Sequence, residues 1–181
     1  MACDLTKGRV EQCKDAVAGL DAVYFANFVL APSDVTYDVT NTDLITDINN
    51  ITNVYKYELK GANSFSEKVV TSRENGTTYW EQSLTIQLKK QDIATHKQMK
   101  LLAYARPHVI VRTKAHQYFI MGLEYGSDVT DGSFEKGQAM GDFNGYKMTL
   151  TAMERIPANF LDCTTDTSLA TVLSSATIVT S

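Results

Sequence analysis

From Thr77 to Lys90 the chain reads TTYWEQSLTIQLKK, alternating side-chain character almost without a break, the period-of-two pattern of a strand with one covered face. Trp80, Leu84, Ile86 and Leu88 fall on one side, with Gln82 the one polar residue among them; Tyr79, Glu81, Ser83, Thr85, Gln87 and Lys89 fall on the other. A slip of one residue would turn the apolar set to water, so the register is strongly specified. Residues 65–72, FSEKVVTS, precede this stretch across Arg73-Glu74-Asn75-Gly76. Asn-Gly tolerates the positive φ angles of a type I′ turn, so 65–90 is predicted to be a β-hairpin.

The remaining segments are consistent with a β protein. Residues 1–20 read as a short polar helix or turn, an N-terminal arm ahead of a first strand at Val23-Tyr24-Phe25-Ala26-Asn27-Phe28 that Pro32 ends. Val35, Tyr37 and Val39 share one face of a second strand, a polar Asn/Asp/Thr loop runs to Asn53, and Val54–Leu59 is a further strand stopped by Gly61. Asp92 stands at an N-cap position before 93–104, a run without Gly or Pro, which predicts one flanking α-helix over about 92–105. Val109–Thr113 and Tyr118–Met121 read as two strands joined across Lys114-Ala115-His116. A glycine-rich loop over 126–145 then delivers a closing strand in which Tyr146, Met148, Leu150 and Ala152 alternate with Lys147, Thr149, Thr151 and Met153. The expected fold class is mainly β: an antiparallel β-sandwich or barrel with that one helix, a single domain over 1–160. Residues 161–181 form a Thr/Ser-rich C-terminal tail, read either as a strand added to a neighbouring subunit's edge or as a frayed terminus.

Charge and cysteine content narrow the function classes. A net charge of −4, with basic residues single or in pairs such as Lys89-Lys90, argues against a sequence-reading DNA binder. The N-terminus has no apolar core of signal-peptide length and no later run approaches a spanning helix, so the expectation is a cytosol-like compartment and no membrane anchor. Three cysteines (Cys3, Cys13, Cys163) cannot close a disulfide framework within one chain. Cys3 and Cys13 with a histidine lack the CxxC clip that pre-forms half a zinc site.

Chemical motifs are sparse. His108 and His116 face one another across a predicted hairpin with no carboxylate or cysteine at ligand spacing, which reads as exposed strand-end histidines. Asp128, Asp131, Glu135, Asp142 and Asn144 supply oxygen ligands, but a calcium loop counted from Asp142 places Lys147 and Met153 where glycine and glutamate are required. Nucleophile elbow, phosphate loop and HExxH patterns do not occur. The reading is therefore not an enzyme and carries no cofactor. Tyr118, Phe119, Tyr125, Phe134, Phe143 and Tyr146 interleave with glycines rather than with a basic stripe, which suits a core or a subunit contact.

Three stretches carry a family likeness: Tyr118–Gly122 with its glycine-rich loop, Gly137-Gln138-Ala139-Met140-Gly141-Asp142-Phe143-Asn144-Gly145-Tyr146 leading to Glu154 and Pro157, and Trp80–Leu88 followed by the helix after Asp92. Together, over roughly 78–160, they resemble phage tail-tube proteins, whose fold is related to the tube protein of type VI secretion systems. The N-terminal CDLTKGRVEQCKDAVAGL is similar to openings of structural proteins of crAss-like phages. The resemblance implies a virion structural protein of the phage tail, assembled in the host cytoplasm. Such a tail-tube or tail-ring subunit joins edge to edge into hexameric or higher rings, contacts neighbouring tail proteins, and surrounds a lumen through which double-stranded DNA passes without sequence-specific binding. On that reading Glu81, Ser83, Thr85 and Gln87 face the lumen, while Asp128, Asp131, Phe134, Glu135, Asp142 and Phe143 make inter-subunit or inter-ring contacts. A ligand- or carbohydrate-binding β-sandwich, with Trp80, Tyr118 and Tyr125 as stacking residues, is the alternative.

Overall fold

The computed structural model describes residue 5 and residues 7–180. In chain order these form β1 (Leu20–Ala26), β2 (Val35–Tyr37), β3 (Leu44–Ile48), β4 (Asn53–Glu58), β5 (Ser64–Ser72) and β6 (Thr77–Lys89). There follow α1 (Ile93–Leu102), β7 (His108–Thr113), β8 (Tyr118–Met121), β9 (Asp128–Glu135), β10 (Gly145–Glu154), β11 (Asn159–Leu161), α2 (Asp166–Val172) and β12 (Thr177–Val179). The chain is mainly β, in an eight-stranded sheet ordered β12-β4-β1-β7-β8-β11-β3-β2 and a four-stranded sheet ordered β5-β6-β10-β9. Neither sheet closes into a barrel. The four-stranded sheet is wholly antiparallel, whereas the eight-stranded one contains two parallel pairs, β11 with β3 and β12 with β4.

The central strands of the large sheet are covered on both faces, which is why their sequences are near-continuous apolar runs. Along β1, Val23 and Phe25 join one core while Ala22, Tyr24 and Ala26 join the other; along β7, Val109 and Val111 oppose Ile110 in the same way. The first core lies against the small sheet and α1, through Leu84, Ile86, Met148, Leu150, Met99 and Leu102. The second lies between the opposite face and α2, where Leu169, Val172 and Leu173 pack with Ile45, Ile48, Val54 and Ile120.

Several expectations need correction. Residues 44–48, expected within a polar loop, form β3, because Ile45 and Ile48 anchor the second core in spite of the surrounding Asn, Asp and Thr. Much of the expected 126–145 loop is β9, an edge strand held by β10. The tail does not fray: within it α2 and β12 pack on their own chain. Among the described residues there are thus two α-helices, not one. The expected arm helix is absent among the described residues; 7–18 are exposed and irregular. The 65–90 hairpin is present, with Ser72 opposite Thr77 around a four-residue connection in which Gly76 alone has positive φ (62°), so the turn is not type I′. The α1 prediction holds: the Asp92 side chain accepts the Thr95 N–H at 2.8 Å, and Met99 and Leu102 are buried.

Candidate functional site

The outward face of the four-stranded sheet is a wall of short polar side chains. Glu81, Ser83, Thr85 and Gln87 all lie on it, half-buried in the middle strand β6. Rows of hydroxyls cross the sheet in register: Ser64, Thr85 and Thr149 with Asp131, and Ser66, Ser83 and Thr151 with Asp128. Thr130 and Thr151 hydroxyls are bonded at 3.0 Å where β9 bulges opposite Thr149 and Leu150. Two of its lysines face acids, Lys68 opposite Glu81 in register and Lys147 bonded to both Glu135 oxygens at 3.0 Å. A surface of this kind binds water well and, away from its Lys89 end, offers phosphates few cations.

The six expected contact residues are not one patch. Asp128 and Asp131 project outward from the edge strand β9. Phe134 lies on the inward face, edge-on to Tyr146 at 4.9 Å and to His96 at 5.1 Å. Glu135 and Phe143 meet through Lys147, whose ammonium stands 4.9 Å from the Phe143 ring centre. Asp142 is occupied within its own loop, accepting the Gln138 and Ala139 N–H groups at 2.8 and 2.6 Å, and those bonds hold its carboxyl below the usual range.

The connection from β8 to β9 is clamped by buried polar side chains. Gln82, the polar exception on the apolar face of β6, accepts the Gly122 N–H at 3.0 Å. Glu154, buried at the end of β10, accepts the Tyr125 N–H at 2.9 Å and the Glu124 N–H at 3.2 Å. Burial pushes the Glu154 carboxyl up, with the two N–H bonds opposing. His108 is buried, contrary to the expectation of an exposed strand end; its Nδ1 lies 2.7 Å from the Gly122 carbonyl, while Nε2 faces the Leu30 N–H at 3.4 Å. That pairing defines a neutral imidazole, and burial pushes its pKa down. A Cβ on Gly122, at φ +68°, would stand 2.5 Å from Ser127 Oγ, so only glycine fits this turn.

A second polar centre was invisible in the sequence. Asp166, in the first turn of α2, receives Tyr24 Oη at 2.6 Å, Tyr118 Oη at 3.0 Å, Lys56 Nζ at 2.8 Å and Arg112 Nη1 at 3.2 Å. These donors come from β1, β8, β4 and β7, four neighbouring strands of the large sheet. Arg112 Nε also stands 3.4 Å from Asp21, an ion-pair distance without hydrogen-bond alignment. Burial raises the Asp166 carboxyl, but the Lys56 and tyrosine bonds outweigh it and hold the group below its ordinary value. Burial drives the Tyr24 phenol far up and the Tyr118 phenol to about 12, so both remain protonated donors at neutral pH. The cluster therefore pins α2 onto the large sheet rather than supplying a base. The signal for α2 was present in Leu169, Val172, Leu173 and Ala176, which repeat at helical spacing behind Thr165, whose hydroxyl caps the Ser168 N–H.

Of the aromatic residues expected to stack a ligand, Tyr118 is enclosed and turned toward Asp166, Trp80 is half-buried, and Tyr125 is exposed. His116 is exposed on its turn and bonded to Arg112 instead of facing His108. Cys3 lies outside the described residues, among which no group of three His, Cys, Asp or Glu side chains is arranged to hold a metal ion. No helix among them is long and apolar enough to cross a membrane. Comparisons with family models, with curated proteins and with solved structures found no match to this chain.

Proposed function

We propose that this chain is a structural subunit of a phage virion, a tail-tube or tail-ring protein that assembles in the host cytoplasm into hexameric or higher rings around a DNA-conducting lumen. The observation that carries the reading is the pair of open edges on the four-stranded sheet. Because β5, β6, β10 and β9 are successively antiparallel, β9 of one copy runs opposite to β5 of a copy placed beside it. The two edges are therefore complementary in direction, and repeating that pairing around an axis uses up the unpaired N–H and C=O groups that an edge otherwise exposes. Rotation about such an axis keeps one face of every copy inward. The Ser/Thr-rich face of Glu81, Ser83, Thr85 and Gln87 suits that position, since double-stranded DNA slides past a wall that does not neutralise its phosphates.

Electron microscopy of the purified chain, alone and with neighbouring tail proteins, tests the proposal. Rings with a central channel are expected. Monomers alone at every concentration, with and without the tail proteins, would overturn it. Proline at Val69, whose N–H on the open edge β5 points away from β6, should abolish rings while leaving a folded monomer, because edge strands tolerate proline there but cannot then donate to a neighbour at that position.

A further inference from the structure

We infer that one end of the molecule is a phosphate-binding rim for double-stranded DNA, built from Lys60, Lys89, Lys90 and Lys114. In the sequence these lysines are scattered, but the fold brings their turns to the same end of both sheets. Lys60 follows β4, Lys89 and Lys90 end β6, and Lys114 begins the β7–β8 turn. Two adjoining clefts open there. Lys60, Lys89 and Lys90 line one of about 310 Å³. Lys60 and Lys114 line the next, of about 420 Å³, together with Lys56 and Arg112. Lys89 crosses beside Gly61, where an added Cβ would meet its Cε at 3.7 Å, which ties the β6 end to the lysine-bearing β4–β5 turn.

The charges at this end do not cancel. Six cations line the two clefts against three carboxylates, Asp21, Glu58 and Asp92. Two of the cations are neutralised at once: Arg112 by Asp21 and Asp166, Lys56 by Glu58 and Asp166. Asp92 is engaged in capping α1. Among the described residues, Lys60, Lys89, Lys90 and Lys114 have no carboxylate within ion-pair distance, and all four are exposed. In a chain of net charge −4 this is a concentrated positive end.

The chemistry favours phosphates of a duplex over an acidic protein. The unpaired cations are all lysines, hydrated point charges on flexible stems, without a planar guanidinium fork to fix the geometry of a carboxylate. They are spread over separate turns, matching a repeating line of phosphates better than one shaped pocket. Lys89 also lies on the same face of β6 as Glu81, Ser83, Thr85 and Gln87, so the rim adjoins the hydroxyl-rich wall. In the proposed ring, on which only the position of the duplex rests, DNA would be held at one mouth and pass freely along the wall.

Fluorescence anisotropy of a labelled 20-base-pair duplex, titrated with the full chain at rising salt, tests the inference. Four phosphate contacts imply a loss of about 100-fold in affinity between 50 and 200 mM salt. Replacing all four lysines with glutamine (K60Q/K89Q/K90Q/K114Q) should abolish most of that salt dependence and weaken binding at least tenfold at low salt. K68Q/K147Q, on the wall, should bind as the wild type does. Absence of salt-dependent binding by the wild type, or equal binding by the quadruple variant with an unchanged circular dichroism spectrum, overturns the inference. Displacement of the duplex by polyglutamate at equal charge concentration also overturns it, in favour of an acidic polypeptide. Microscopy of the same samples separates the two proposals: rings that bind no DNA refute the rim alone, and DNA binding by permanent monomers refutes the ring alone.

Discussion

Replacing Asp166 with alanine removes one acceptor from four donors on four strands, and its effect follows from the geometry. The Tyr24 and Tyr118 phenols are buried and end 2.6 and 3.0 Å from the carboxylate. Hydrogen bonds to a charged group contribute about 1.5–3 kcal/mol each. The carboxylate itself is 33% exposed, so water replaces part of what Lys56 and Arg112 lose, and their share is small. Counting the two phenol bonds at the lower end gives a loss of about 3 kcal/mol, which for a chain of this length lowers Tm by about 6–12 °C. Differential scanning calorimetry at pH 7 measures it, with Asp162→Ala, an exposed acid on the same connection, as the control expected to change little. The pH dependence has a definite sign. Asp166 titrates lower in the folded chain, so its contribution is present above its unfolded value of 3.8 and is lost as pH falls through the folded one. The difference between wild type and variant should therefore shrink in acid. A Tm within about 1 °C of wild type at pH 7 would refute the reasoning that this acid anchors the tail.

Other residues give independent checks. Gly122→Ala should destabilise by about 2–4 kcal/mol in urea titration, since it combines positive φ with a Cβ pressed against Ser127 and Gly126. Gly76→Val also meets positive φ, but no atom lies near its Cβ, so a loss of about 1 kcal/mol is expected from backbone strain alone. His108 is held neutral with its pKa below the ordinary 6.5; stability it contributes is present above that value and falls as pH drops toward the folded value. Urea midpoints should accordingly decline below pH 6.5 in the wild type and decline less in His108→Gln.

The parts of this fold legible in the sequence are those in which one segment declares its own surroundings. Alternation over 77–90 and 146–153 located β6 and β10, and Asp92 located the start of α1, because period and capping are local properties. β3 was not legible: two isoleucines among Asn, Asp and Thr make a strand only because α2 and the large sheet need them as core. The tail misled for a related reason. Its Thr, Ser and Ala suggested weak packing, yet Leu169, Val172 and Leu173 suffice once they pack with Ile45, Ile48, Val54 and Ile120. Of the expected site, the wall residues of β6 share one face as the alternation required, whereas the six contact residues were grouped by nearness along the chain and the structure gives them different neighbours.

Gly122–Pro157 shows the division most clearly. By itself the sequence determined the long two-faced strand that begins at Gly145, since the period of two is written residue by residue, while the loop expected before it proved in large part to be β9. Only the tertiary structure decided that Gln82, His108 and Glu154 converge to hold the Gly122 turn, that Asp166 gathers donors from four strands, and that four scattered lysines share an end. Those arrangements join residues 14 to 142 positions apart, and polar groups that meet over such distances leave no period in the sequence, because their spacing is set by the packing of sheets and not by the geometry of one strand or helix.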